Sequence, residues 1–211
     1  MKEGQTSYNL EKNKLLGHYI KFKNKLWKSY FSQDGDQQVD RDMSIERDLT
    51  VGGQLYNTNF PAFKAIMTSG QTLTNGDYTT ITFDSEEYDI GNNFSLTSEY
   101  FTAPVDGIYS FYTQVLFNSA DSDEVDVNER IDIRLYNVTD ATGMATGVLE
   151  AIANYPVNMY WRTHLYTELK LSAQDEIRVE IRNLVGTNIQ TYTGTQDSYS
   201  YFTGHLVSAL K

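Results

Sequence analysis

Residues 83–111 read FDSEEYDIGNNFSLTSEYFTAPVDGIYSF, and the spacing inside this stretch decides the fold. Phe83 is followed by five residues and Asp89, then four and Phe94, six and Phe101, and five and Gly107, with Tyr109 and Phe111 closing at period two. Aromatic side chains that return after loop-length intervals are expected to enter one core from successive strands. Gly107 is expected in a tight turn, where a side chain would be awkward. Asp89, ahead of Ile90 and Gly91, is positioned to accept hydrogen bonds from backbone amides downstream of it and hold a loop. Every position has a folding reason, and none supplies a nucleophile, a base or a metal-ligand set.

Outward from this stretch the alternation continues. Tyr109, Phe111, Val115 and Phe117 share one face; Ile131, Ile133 and Leu135 alternate with Asp132, Arg134 and Tyr136; Ile177, Val179 and Ile181 alternate with Arg178, Glu180 and Arg182. Period two places each trio on one side of a sheet. Turn signals separate the runs: Asn75-Gly76, Gly91-Asn92, Ala141-Thr142-Gly143 and Gln174-Asp175. With 16 Tyr and 10 Phe against 3 Pro, the composition suits pleated, paired surfaces. The expectation is an all-β sandwich or jelly roll from residue 60 onward.

The Phe83–Phe111 spacing resembles the signature of the complement component 1q globular-head family, part of the tumour necrosis factor-like jelly rolls. One position departs: the family carries a further aromatic two residues after Phe111, where this chain has Thr113. Pro61, Ala62 and Phe63 resemble the opening strand of the family and Phe202, Thr203, Gly204, His205 and Leu206 its closing strand, so the resemblance spans roughly residues 60 to 211. It implies a jelly roll that assembles as a homotrimer about a threefold axis through aromatic and aliphatic side chains, with loops distal to the stalk free for recognition. Tyr112, Tyr160, Trp161, Tyr199, Tyr201 and Phe202 exceed what one sandwich interior needs, which is compatible with such an interface. A binding surface built of exposed tyrosines is the competing reading.

The 211 residues leave room for one substantial domain and an appendage, and a domain of about 150 residues buries roughly 70% of its unfolded surface. Cysteine is absent, which excludes disulfides and thiolate metal sites. The net charge of −11 is uneven: residues 1–33 sum to +5, residues 34–59 to −4 and residues 60–211 to −12. A head this acidic repels phosphate, so no nucleic-acid partner is expected. Met1 to Lys14 contains no apolar run and no later segment approaches the length of a membrane span. The expectation is therefore a chain without a membrane span and not routed through ordinary secretion.

Residues 1–38 form a basic arm. From Asn9 to Phe31 the apolar residues Leu15, Tyr19, Phe22, Leu26 and Tyr30, with Leu16, Ile20, Trp27 and Phe31 beside them, recur in steps of three and four, the pattern of an amphipathic helix. Ile20-Lys21-Phe22-Lys23 also reads as a strand. Leu15, Leu16, Tyr19, Phe22, Leu26, Trp27 and Tyr30 are expected to anchor the arm, because broad apolar surface demands cover and Trp and Tyr are interface anchors. Docking on an acidic protein shell is preferred over an anionic membrane or nucleic acid. In residues 39–59, Met43, Ile45, Leu49, Val51 and Leu55 alternate in short bursts around Gly52 and Gly53. These bursts resemble the short β shaft of viral fibre proteins, with an ordinary linker as the equal alternative.

Chemistry finds little purchase. His18, His164 and His205 are scattered and stand with no Ser or Asp at catalytic spacing, so no enzymatic role is expected. Asp121, Asp123, Glu124 and Asp126, with Glu129, offer hard oxygen ligands for calcium but lack the ordered spacing of a calcium loop, and a solvated loop with no cofactor is the expectation. Asn93-Phe-Ser95 and Asn137-Val-Thr139 match the N-glycosylation pattern and read as accidents. The expected function is a trimeric virion appendage, a bacteriophage head fibre or capsid decoration protein attached to a capsid or other virion protein through residues 1–38, whose jelly-roll knob (60–211) meets a glycan or host surface near 121–129 and 192–199. The alternative is a secreted or cell-surface trimeric binding module, lectin-like or adhesive, of the same fold.

Overall fold

The structure is a computed structural model that describes residues 15–22, 25–32, 60–118, 129–150, 160–193 and 199–210, and the chain divides into two compact units, residues 1–55 and 56–211. In the first unit, β1 (Leu15–Phe22) and β2 (Lys25–Ser32) pair antiparallel, with Leu16 opposite Phe31 and Ile20 opposite Trp27. This corrects the helical arm expected over residues 9 to 31. Aromatic and β-branched residues favour the pleated conformation, and a hairpin closed after Phe22 aligns the two aromatic runs where a helix would not. The shaft residues 39–59 lie outside the described residues.

The second unit is a sandwich of two sheets. One contains β7 (Phe94–Ser95), β8 (Tyr100–Thr102), β13 (Glu176–Leu184), β10 (Arg130–Asn137) and β11 (Thr142–Glu150), with β5 (Tyr78–Thr80) also on β13. The other runs β12 (Tyr160–Leu171), β9 (Gly107–Asn118), β15 (Tyr201–Ala209), β3 (Ala62–Ile66) and β6 (Ser85–Ile90); β14 (Ile189–Thr191) and β4 (Thr72–Leu73) extend it beside the far end of β9. Every strand pairing among the described residues is antiparallel. β9 is the organising strand, paired over twelve residues with β12 on one side and with β15 on the other.

The core lies between the sheets and is phenylalanine-rich. Phe63 of β3 stacks on Phe94 at 4.9 Å and Phe101 at 5.1 Å from the opposite sheet, and meets Phe202 edge-on at 4.9 Å. Phe101 meets Phe111 at 5.6 Å, and Phe83 reaches Phe202 at 6.0 Å. Offset and edge-on ring pairs add about 0.5–1.5 kcal/mol each beyond the area they bury. Phe83 enters from the segment between β5 and β6 rather than from a strand. Asp89 Oδ1 accepts from Asn93 N at 3.1 Å and Oδ2 from Phe94 N at 2.9 Å, which delivers Phe94 into the stack.

Gly107 is not in a turn. It opens β9, where a Cβ would stand 2.6 Å from Leu206 Cδ1 and 3.0 Å from the Ser208 carbonyl, so the position is set by close strand packing. Thr113, the departure from the family pattern, is fully buried and donates from Oγ1 to the Tyr201 carbonyl at 3.0 Å. A hydroxyl tying β9 to β15 occupies the place of a ring. Asn137 is likewise fully buried, its side chain bonded to Asp140, so its glycosylation pattern has no accessible acceptor in the folded head.

Candidate functional site

Because β9, β12 and β15 bury alternate residues in the core, their remaining side chains form one continuous outer face of the seven-stranded sheet. β12 presents Tyr160, Arg162, His164, Tyr166, Glu168 and Lys170; β9 presents Ser110, Tyr112, Gln114 and Leu116; β15 presents Tyr201, Thr203 and His205. Tyr112 is the hub. It sits directly between Tyr166 and Thr203 in the ladder, its ring lies 5.5 Å from Tyr201 and 6.4 Å from His164, and its hydroxyl donates to Gln114 Oε1 at 3.2 Å. Gln114 Nε2 in turn donates to the Tyr199 carbonyl at 2.9 Å. Alongside the last residues of β9, Tyr192, whose N–H donates to the Leu116 carbonyl at 2.7 Å, packs on Tyr160 at 4.5 Å and lies 6.1 Å from Tyr199.

The face is aromatic and largely uncharged at its centre. Burial pushes the Tyr201 phenol up, with Tyr112 beside it acting in the same direction, and the hydrogen bond with Tyr160 pushes Tyr192 up. Both therefore remain neutral donors at physiological pH. Charged side chains border this centre: Arg162 of β12 acts on the Tyr201 phenol in the opposite direction, and Lys64 lies 5.0 Å over the Tyr201 ring and pairs with Glu87 at 2.8 Å. Tyr166 and Tyr160 are more than half exposed, at 61% and 54%, while Ser110, Gln114 and Leu116 are already buried within one chain. Large apolar groups left open around a packed floor form a surface suited to cover by another molecule.

Of the six additional aromatics, the structure brings Tyr112, Tyr160, Tyr199 and Tyr201 to this region. Phe202 instead lies fully buried in the core and Trp161 packs against the core from the inner side of β12, so neither belongs to the face. Tyr166, Leu116 and Arg162 were not identified from sequence; their alternation with Leu165, Val115 and Trp161 was the available signal, and only the β9–β12 register joins them to Tyr112. The signature residues Phe83, Phe94, Phe101, Tyr109 and Phe111 are all in the core, where the Tyr109 hydroxyl donates to the Val105 carbonyl at 2.8 Å.

His164 and His205 lie on separate strands of the outer face, and His18 belongs to β1. Among the described residues no group of three or more His, Asp or Glu could hold a metal ion, and no helix is long and apolar enough to cross a membrane. The calcium candidates Asp121, Asp123, Glu124 and Asp126 lie outside the described residues, as do 194–198 of the 192–199 loop. For the anchoring set Leu15, Leu16, Tyr19, Phe22, Leu26, Trp27 and Tyr30, the hairpin pairing is described at the level of the backbone.

No curated protein matches the chain. Among solved structures it is similar to the globular domain of zebrafish complement 1qA protein, at 16% identity and a TM-score of 0.48, covering 71% of this chain and 99% of that one. It is also similar to the Eiger TNF of S. frugiperda, at 11% identity and a TM-score of 0.54, covering 72% of this chain and 96% of that one. The second likeness establishes the fold as the tumour necrosis factor-like jelly roll. The C1q domain model matches residues 62–207, from β3 to the closing strand, and with that match over most of its length the chain belongs to the C1q domain family.

Proposed function

We propose that the chain is a non-enzymatic subunit of a homotrimer in which the outer faces of three seven-stranded sheets meet about a common axis. The observation that carries this reading is the aromatic face around Tyr112, with Tyr166 and His164 on β12 and Tyr201 on β15. It has the aromatic and aliphatic character through which jelly rolls of this family associate. Buried aromatic anchors dominate the energy of such interfaces, and a charge placed among them is costly. Light scattering on the purified 24.1 kDa chain should give about three times that mass, and Tyr112→Asp with Tyr166→Asp should give the monomer. A monomeric parent chain would end the trimer reading.

Within this reading the trimer is a virion appendage, of the bacteriophage head-fibre or capsid-decoration kind. The support is the division into two units: a compact head, and a second unit whose first 33 residues sum to +5 and whose β1–β2 hairpin carries Leu15, Leu16, Tyr19, Phe22, Leu26, Trp27 and Tyr30. The hairpin would dock on a capsid protein, residues 39–59 would gather the three chains, and the heads would face the host. Deleting residues 1–33 should abolish co-sedimentation with particles while leaving the trimer intact. Retained co-sedimentation would leave the second reading, a free-standing lectin-like or adhesive trimer, which the head serves equally well.

A further inference from the structure

The outward face of the other sheet carries a different chemistry. Strand register sets Arg134 opposite Glu180, Asp132 opposite Arg182 and Tyr136 opposite Arg178, with Tyr78 of β5 beside Arg182. Glu180 Oε2 accepts from Arg134 Nε at 2.8 Å and Nη2 at 2.6 Å, and Oε1 accepts from Arg178 Nε at 2.9 Å and Nη2 at 2.6 Å. Asp132 Oδ2 accepts from Arg182 Nε at 3.1 Å and Nη2 at 2.5 Å. Rings and guanidinium groups alternate along the surface: Arg182 lies 4.9 Å from the Tyr78 centroid, Arg134 3.5 Å from Tyr78 and 4.6 Å from Tyr136, and Arg178 5.2 Å from Tyr136.

Two features go beyond what a structural ion-pair network requires. Four arginines, Arg130 included, stand around the two carboxylates of Asp132 and Glu180, with Glu176 on the same side of β13 and Glu150 opposite Arg130 at the border, so guanidinium groups are concentrated here on a head whose residues 60–211 sum to −12. Arg134, Arg178 and Arg182 each give the Nε–Nη2 edge to a carboxylate, which leaves the Nη1 donors outside those pairs on partly exposed side chains. The second feature is Asp132 Oδ1, buried and without a hydrogen bond. Arg130 Nε stands 3.2 Å from it, near enough to pair in charge but off the line of a hydrogen bond, and the Arg130 side chain covering it is 45% exposed. A hydroxyl reaching Oδ1 would displace one long, weakly held side chain.

We propose that this face binds a carboxylate-bearing sugar of a surface glycan. The planar guanidinium edges receive the sugar carboxylate and Asp132 accepts from a neighbouring ring hydroxyl. Thr80, opposite Glu180, and Thr146, opposite Arg134, add hydroxyls at the border. A sugar acid offers a carboxylate and hydroxyl donors on one ring, which matches outward Arg Nη1 donors beside a buried acceptor that Arg130 meets in charge but not by a hydrogen bond. Nucleic acid is disfavoured, because four guanidinium groups interleaved with carboxylates do not offset repulsion between phosphates and a chain of net charge −11. The site lies on the sheet opposite the aromatic face and does not depend on assembly.

Calorimetric titration of the full chain with trigalacturonate, sialyllactose and a glucuronate disaccharide, each beside its methyl ester, tests the proposal. At least one acid should bind, its ester at least tenfold more weakly. Arg134→Lys with Arg178→Lys keeps the charge but loses the planar forks and should weaken binding about tenfold at unchanged melting temperature. Arg134→Met with Glu180→Met removes that pair and leaves Arg178, whose side chain is 29% exposed, to solvent; it should likewise weaken binding. Size-exclusion run alongside separates loss of the trimer from loss of the sugar site. Failure of all three acids to bind at about 10 mM, equal binding of acid and ester, unaltered binding by both double variants, or preference for polyglutamate or duplex DNA would each overturn it.

Discussion

Gly204 offers a stringent test of how the two sheets pack. It lies on β15 directly between Phe111 of β9 and Phe63 of β3, and a Cβ added there would stand 2.5 Å and 2.7 Å from Phe111 Cδ1 and Cε1 and 2.9 Å from Phe63 Cε1. Non-bonded carbons rest at about 3.5–4.0 Å, so each contact must open by roughly 1 Å. Neither ring can yield alone: Phe111 is held against Phe101, and Phe63 against both Phe94 and Phe101. Overpacking of this kind costs about 1–3 kcal/mol, and the upper end applies where two rigid rings must move together. The lower entropy of the unfolded alanine chain returns about 0.4–1 kcal/mol. Gly204→Ala should therefore lose about 2 kcal/mol, which for a domain of about 150 residues lowers the melting temperature by about 4–8 °C. Gly143→Ala is the control, since its Cβ would lie at an ordinary 3.7 Å from Arg134 Cδ, and it should stay within about 0.5 kcal/mol of the parent. In a Phe111→Leu background the cost of Gly204→Ala should shrink by about 1 kcal/mol, because the obstructing ring is gone. Denaturant titration of the four chains measures the coupling, and an unchanged Gly204→Ala midpoint or strict additivity would refute the packing argument.

Three further outcomes follow from ion pairs and hydrogen bonds of polar side chains. Glu180→Ala removes the shared acceptor of Arg134 and Arg178 and should cost about 2 kcal/mol by denaturant titration, below the full penalty of a stranded charge because both arginines reach solvent. Thr113→Val deletes the hydroxyl that bonds the Tyr201 carbonyl and should cost about 1 kcal/mol, whereas Thr113→Phe, which restores the family aromatic, should be worse because the site is already full. Asp84 and Glu99 should show opposite pH signatures in thermal melts. Burial raises the Asp84 pKa, but hydrogen bonds from Thr68 and Ser69 outweigh it and leave the carboxyl below its usual 3.8, so its contribution is present above that value and fades as pH falls through the folded pKa; Asp84→Asn should flatten that acid limb. Burial lifts Glu99 above 4.5, so its ionisation opposes folding at neutral pH; Glu99→Gln, which keeps an acceptor for Phe83 N, should raise the pH 7 melting temperature and lose that advantage below about pH 4.5.

The strands of the head were legible because alternation is a local property. Ile131, Ile133 and Leu135 and their counterparts Ile177, Val179 and Ile181 are buried on one side as period two requires, and the Phe83–Phe111 spacing carries the core rings that the structure shows stacked. The arm was less legible. Steps of three and four in a stretch dense with aromatic residues satisfy a helical stripe and also serve a hairpin, and the β1–β2 register pairs Ile20 with Trp27 and Leu16 with Phe31. Gly107 was assigned to a turn because a glycine's neighbour in space is invisible in sequence; the neighbours are Leu206 and Ser208, a hundred residues away. Both candidate surfaces were half visible for the same reason. The polar members of each strand could be named, but their partners could not.

By itself, then, the sequence determined an all-β head, the family to which that head belongs, the residues that fill its core and its acidic balance. These depend on spacing, periodicity and composition, which are written along one dimension. Only the tertiary structure decided that Tyr112 is flanked by Tyr166 and Thr203, that Thr113 replaces a ring with a hydrogen bond, and that four arginines close over two carboxylates on the opposite face. Those juxtapositions are set by strand register across long separations. A shift of a single residue would turn every one of these side chains to the other side of its sheet.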